Sequence, residues 1–390
     1  MSVTEPVSRN IDVQEKVSFV PAEKTRRLLT FSLTVFLIVH IISLGVWYLF
    51  VDARLAIWNY APQPFGMYLF WGILVLVFIG FNFGMTGFST LKQPFRGGVA
   101  TALTLALGFL LPAMLVYGYG ALDPAFSSTS GGYGAVGLIV LIGFYGFGIV
   151  ATGMAGWPWS DSGLSPVLSG VAQLLSGCCL TGLGYFLLIY PNISVVSKSH
   201  TILLPLPVVL GWFYSVIVAW LTTFLIFDNW PWRMLKRKSH MALAALVGNF
   251  LLGTVLYEVH LWLLRWILIA PDAIEKIGAM LPSWPAQLGV WIAFWLIFWA
   301  NVAGNWPNRF SAGSNRVIRA ALCWSLGLIS FVVYTRWFSA AVLHEVEIVP
   351  GFGGDPLTWV DLLNYVMLIY VVYFEFYGLS GTRNSLERIN

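Results

Sequence analysis

The chain has 390 residues, of which 58% are apolar and only 10% charged, and its mean hydropathy is +0.79. A water-soluble domain carries about 25% charged residues, so this composition excludes one and specifies a polytopic membrane protein. The net charge of +4 sits in short loops and makes no patch for nucleic acid.

Residues 1–27 are polar and read as a cytoplasmic arm. A bilayer core of about 30 Å takes roughly 20 apolar helical residues. Ten segments meet that length: 28–50, 66–86, 97–121, 134–156, 166–190, 202–227, 241–270, 288–305, 318–343 and 359–378. None shows the short polar alternation of a membrane barrel strand, so the fold class is all-α with ten transmembrane helices in one domain over 28–378. Residues 379–390 form a tail. The first apolar run is too long for the 7–15 residue core of a signal peptide.

Basic residues mark one side of the membrane. Arg9, Lys16, Lys24, Arg26 and Arg27 precede the first span. Lys92 and Arg96 follow the second, Arg233 to Lys238 the sixth, and Arg309, Arg316 and Arg319 the eighth, while Arg383 and Arg388 close the tail. Opposite them stand Arg54, Lys198 and Lys276. Both termini are therefore expected in the cytoplasm, with the protein in a bacterial-type inner membrane.

An internal repeat follows from the ends of the even-numbered spans. They read Gly84-Met85-Thr86-Gly87-Phe88, Gly153-Met154-Ala155-Gly156-Trp157-Pro158, Asp228-Asn229-Trp230-Pro231 and Gly304-Asn305-Trp306-Pro307, with Tyr377-Gly378-Leu379 as a fainter echo. Aligned on the aromatics, positions 88, 157, 230 and 306 are 69, 73 and 76 residues apart. Tyr117, Tyr185, Tyr257 and Tyr334 fall 27 to 29 residues after them. Gly or Asn ends a helix in a left-handed cap, Trp favours the headgroup level and Pro cannot continue the helix. The motif so reads as an interfacial helix stop. The pattern predicts five parallel two-helix repeats, circularly permuted so that the tenth span pairs with the first, as in a closed ring.

Ionisable residues inside spans are the default functional candidates because burying charge in hydrocarbon is costly. Glu375 in the tenth span and Glu258 in the seventh are candidate coupling or gating acids. The four tyrosines and His40, at matching depth, are candidate substrate contacts, since Tyr offers an apolar face and one hydroxyl. Each has a plainer reading: helix packing for the tyrosines, a helix-helix hydrogen bond for His40, an ion pair for Glu258 with Arg265. Only five His and three Cys are present, with no facing His pair for haem, no HExxH pattern and no cysteine-histidine zinc spacing. No cofactor or metal is expected.

Three functions remain open at this point. The first is transport or permeation of a small neutral or weakly acidic, even apolar, molecule through a site near the midplane. The second is a non-catalytic subunit or scaffold that meets lipids, partner membrane subunits or copies of itself. The third is an enzyme on a lipid-like substrate with His40 or His260 as base, less favoured because no catalytic motif accompanies them.

Overall fold

In hydrocarbon every backbone N–H and C=O must be bonded within its own segment or a closed barrel, and this chain meets that demand with helices. The computed structural model describes residues 22–194 and 201–379. The sequence-predicted arm up to residue 21, the tail from 380, and Lys198 and His200 lie outside them.

Among the described residues, ten helices are long and apolar enough to cross a membrane, so the chain is an integral membrane protein. They are α1 (Thr25–Phe50), α2 (Phe65–Asn82), α3 (Phe95–Ala121), α4 (Gly132–Ala151), α5 (Pro166–Ile193), α6 (Leu206–Ile226), α7 (Lys238–Leu268), α8 (Pro271–Asn301), α9 (Ala312–Ala341) and α10 (Pro356–Tyr373). A two-stranded antiparallel hairpin, β1 (Glu347–Val349) with β2 (Phe352–Gly353), precedes α10. The eighth span begins at Pro271 rather than near 288. Its first turns are polar, with Glu275 and Lys276, and are joined to the apolar body through Gly278 at φ +55°. Hydropathy alone therefore missed them. Trp284-Pro285, just before the apolar segment 288–305 read from the sequence, starts the apolar body, where Pro costs no hydrogen bond.

The helices fall into two classes. In α2, α4, α6, α8 and α10, 56 to 78% of the apolar window is buried, against 22 to 28% in α1, α3, α5, α7 and α9. The first class packs in a closed sequence: α2 on α4, α4 on α6, α6 on α8, α8 on α10, and α10 back on α2. Each also carries one helix of the second class: α3 on α2, α5 on α4, α7 on α6, α9 on α8, and α1 on α10. Span 1 thus does lie against span 10. Trp47 meets Trp359 edge-on at 5.6 Å and Phe31 meets Phe376 at 5.3 Å. Phe36 extends the seam to α8 by stacking on Trp295 at 5.8 Å.

The five inner helices stop in the same way. Two consecutive residues take left-handed φ: Gly84 and Met85, Ala155 and Gly156, Asp228 and Asn229, Gly304 and Asn305, Glu375 and Phe376. The second N–H of each pair reaches back six residues, from Met85 to Ile79, Gly156 to Val150, Asn229 to Thr223, Asn305 to Trp299 and Phe376 to Tyr370. These bonds take up carbonyls that the helix end leaves without a partner. By this geometry Thr86 and Tyr377 stand where the other turns have Trp157, Trp230 and Trp306. The aromatic alignment on Phe88 and Leu379 was two residues late, because backbone conformation rather than the ring sets the register.

Left-handed φ is costly for most L-residues but tolerated by Asn and Gly. Two of the Asn side chains also tie neighbours together. Asn305 Nδ2 donates to Leu225 O at 3.0 Å, and Asn229 Nδ2 to Gly153 O at 3.4 Å. Asn305→Ala is expected to lower unfolding stability by about 1–2 kcal/mol, from one hydrogen bond and the φ preference. Asn305→Gly should recover the conformational share. Denaturant unfolding of the purified protein checks this, and equal stability of all three proteins would refute it.

Candidate functional site

The inner helices leave a cavity of about 340 Å³, within the range of small-molecule sites. All five line it. Phe70 and Ile73 come from α2, Leu138 and Phe144 from α4, Tyr214 and Ile217 from α6, Gln287 and Ala293 from α8, and Asp361 and Asn364 from α10. Its lining runs from Gln63, which is exposed, down to the level of Leu221, Ile297 and Leu368. That is the half of the helix set away from the five left-handed turns. Toward the turns the same helices carry buried apolar side chains such as Val77, Ile149 and Ile226.

Small residues make room for the cavity while the helices touch. A Cβ on Gly289 would meet the Tyr214 ring at 3.0 Å, so α8 approaches α6 over a bare backbone. Tyr214 is thereby held against α10, with its hydroxyl in interaction range of the Asp361 carboxyl. Asn364, one helical turn along α10, places its Nδ2 3.5 Å from Asp361 Oδ1. Asn364 is 4% exposed and its Oδ1 has no hydrogen-bond partner among the described residues. Asp361 retains accessible surface despite its place among five helices, and that surface is the cavity wall. Among the described residues, no Lys, Arg or His lines the cavity.

A polar layer covers the Gln63 end. Asp355 caps α10, accepting from Leu357 N at 3.2 Å and from Thr358 Oγ1 at 2.7 Å. Gln287 donates to Asp355 Oδ1 at 3.3 Å and accepts from Leu357 N at 2.9 Å, which ties α8 to the start of α10. Above it, the Glu345 carboxylate accepts from the Tyr334 hydroxyl at 2.5 Å and from Asp355 N at 3.3 Å. Burial, with the Asp355 charge adding to it, raises the pKa of Glu345 to about 7 despite the tyrosine bond.

Next to this layer, Asp52 is buried after α1 and meets His344 Nδ1 at 2.8 Å. Burial works to raise the Asp52 pKa. The N–H groups of Arg54 and Leu55, together with His344, outweigh it and hold the carboxyl below its ordinary range. Arg336, in the last turn of α9, lies over the Phe352 ring at 5.3 Å.

The sequence-predicted site residues are spread over the molecule, and none lines the cavity. The four tyrosine hydroxyls go to four separate partners: Tyr117 to Tyr133, Tyr185 to Ala135 O, Tyr257 to Pro282 O and Tyr334 to Glu345. Tyr117 is exposed, whereas Tyr185 and Tyr334 are buried. His40 donates Nδ1–H to Phe36 O at 2.8 Å and stands between Phe36, Phe294 and Trp359. Glu375 is in a left-handed turn, 53% exposed, and paired with Arg96 at 3.0 Å. Glu258 is exposed on α7. His260 is fully buried with Nδ1 3.0 Å from Ser215 Oγ, and that serine donates to Gly211 O. Neither His260 nor His40 faces the cavity.

Asp361 and Asn364 were not picked out from the sequence. The signal was available, because Asp361 lies inside the tenth apolar segment and the rule applied to Glu375 covers it equally.

No family model, curated protein or solved structure matches this chain.

Proposed function

We propose that this membrane protein carries a small molecule across the bilayer, with the cavity between the five inner helices as its substrate site. The observation that carries the reading is the cavity itself: all five inner helices contribute to it, and it holds one carboxyl among apolar walls. Burial of an ionisable group at such depth is costly and is retained for function in membrane proteins. Asp361 takes the role that the sequence suggested for Glu375 and Glu258. Among the described residues the lining carries the acid Asp361 and no Lys, Arg or His, which favours a neutral or hydrogen-bond-donating solute over an acidic one.

The architecture we propose is five parallel two-helix units about an axis along the membrane normal, circularly permuted so that α10 and α1 make the fifth. The five matching turns and the pairing of each inner helix with one outer helix support it. The basic residues gathered at the turns support a cytoplasmic placement of that end and of both termini, in a bacterial-type inner membrane, with lipid around the outer helices.

Uptake into proteoliposomes of neutral and charged solutes small enough for the cavity tests the transport reading. Ala293→Phe, which fills the site, should lower uptake at least about tenfold, or about 1.4 kcal/mol, with folding retained. Absence of flux for every solute, or flux indifferent to the filled cavity, would refute it.

A further inference from the structure

We infer that the cavity takes a small organic cation: an ammonium group on a compact apolar body. The inference rests on the cavity being the substrate site.

Deep in the cavity the polar atoms offered to a ligand are chiefly acceptors, while Gln63 at the mouth uses its Oε1 on Met67 N and keeps its Nε2 donors. Asp361, half-buried, is among the residues that line the cavity. Beside it, Asn364 is buried and its Oδ1 is unpartnered among the described residues. Gln287 spends one Nε2–H on Asp355, and its Oε1 accepts from Leu357 N. A carboxylate accepts strong, short bonds from N⁺–H donors. The remaining wall is largely apolar, with Gln63, Tyr214 and Ser283 as its other polar residues, and includes the rings of Phe70 and Phe144; aromatic faces attract cations that have shed their water.

The same features reject the alternatives. An anion finds no Lys, Arg or His in the described lining and faces Asp361, with Asp355 bonded to Gln287 at the mouth. A bare inorganic cation needs about six oxygen ligands or retained waters, and the lining is largely hydrocarbon. A neutral alcohol of the same shape fills the space but forgoes the charge-assisted bond.

The test uses the full chain in lipid nanodiscs, with binding read by calorimetry and thermal stabilisation. The probes are benzylammonium, cyclohexylammonium and tetramethylammonium, set against benzyl alcohol, benzoate and sodium chloride. Saturable binding is expected of at least one ammonium, about tenfold or more tighter than benzyl alcohol, with none of benzoate or sodium. Asp361→Asn should weaken it by about tenfold or more. Asn364→Asp adds a second carboxyl and should tighten it, which keeps the test decisive if Asp361→Asn fails to fold. The inference falls if no ammonium binds, if benzyl alcohol or benzoate binds equally well, or if both variants bind like the parent protein. Liposome uptake separates this failure from that of the transport reading. Ammonium binding without uptake keeps the ligand class and removes transport. Uptake of another solute without ammonium binding does the reverse.

Discussion

Gly253→Ala is expected to be among the most damaging single-methyl changes in the protein. Gly253 faces α6 from α7, and a Cβ there would fall 2.5 Å from Val216 Cα and 2.8 Å from its backbone nitrogen. Backbone atoms cannot rotate away, so the added methyl must push two helices apart. Val216 belongs to a helix that also packs on α4 and α8, and α6 cannot retreat without disturbing both contacts. Small residues at helix contacts let backbones approach in this way, and van der Waals packing is the main attraction between helices in lipid. Overpacking a tight site costs about 1–3 kcal/mol and occasionally more, and here the upper end applies. Gly182→Ala is the control. It lies on the outer helix α5 with nothing within 4 Å of its added Cβ, so it should be neutral or, through helix propensity, up to about 1 kcal/mol more stable. Thermal unfolding of both variants in the same nanodiscs checks the pair, and equal effects would show that the α6–α7 contact is not tight.

The second large effect is a pH dependence centred on Glu345. Its carboxyl has a pKa of about 7 in the folded protein against an ordinary value of 4.5, burial being the chief cause. The folded state therefore holds a proton that the unfolded chain releases. Between about pH 4.5 and pH 7 the unfolded state binds fewer protons, so stability falls as pH rises through that window and levels off above it. At 1.36 kcal/mol per pKa unit the fall is no more than about 3.5 kcal/mol. Asp52 acts in the opposite sense and at lower pH: its folded pKa is depressed, so its contribution is present above about pH 4 and lost on further acidification. Glu345→Gln keeps an acceptor for Tyr334 and removes the titration. It should flatten the stability curve between pH 5 and pH 8 and leave the variant more stable than the parent at pH 8. A parent curve that is already flat, or one that rises with pH in this window, would refute the assignment.

The membrane class and the count of ten spans were readable because burial in lipid acts on every residue of a span and hydropathy sums the effect. Helix edges were less readable where a polar turn continues an apolar helix, as at Glu275 and Lys276 in α8. The pairing of α1 with α10 was readable from how the tenth span ends, since a helix stop is local chemistry. The division into inner and outer helices leaves little mark on the sequence, because both kinds are apolar on every side and lipid and protein neighbours make similar demands on a side chain. The same ambiguity hid the cavity. Tyr214 and Asn364 are ordinary span residues until five helices bring them beside Asp361. The tyrosines stood out by spacing, yet spacing repeats wherever packing repeats, and each hydroxyl serves its own local partner.

Joining the first helix to the last has a consequence for biogenesis. Trp47 donates its indole N–H to Leu343 O, 296 residues further along the chain. Among these ten helices α1 is synthesised before the segments it packs on, and it must reside in lipid without them until they follow into the bilayer. Release of the nascent chain before α10 is inserted would leave α2 and α8 each lacking a flank, and α1 without its contact to Trp359. Loss of α10 is then a defect of the whole assembly rather than of one segment.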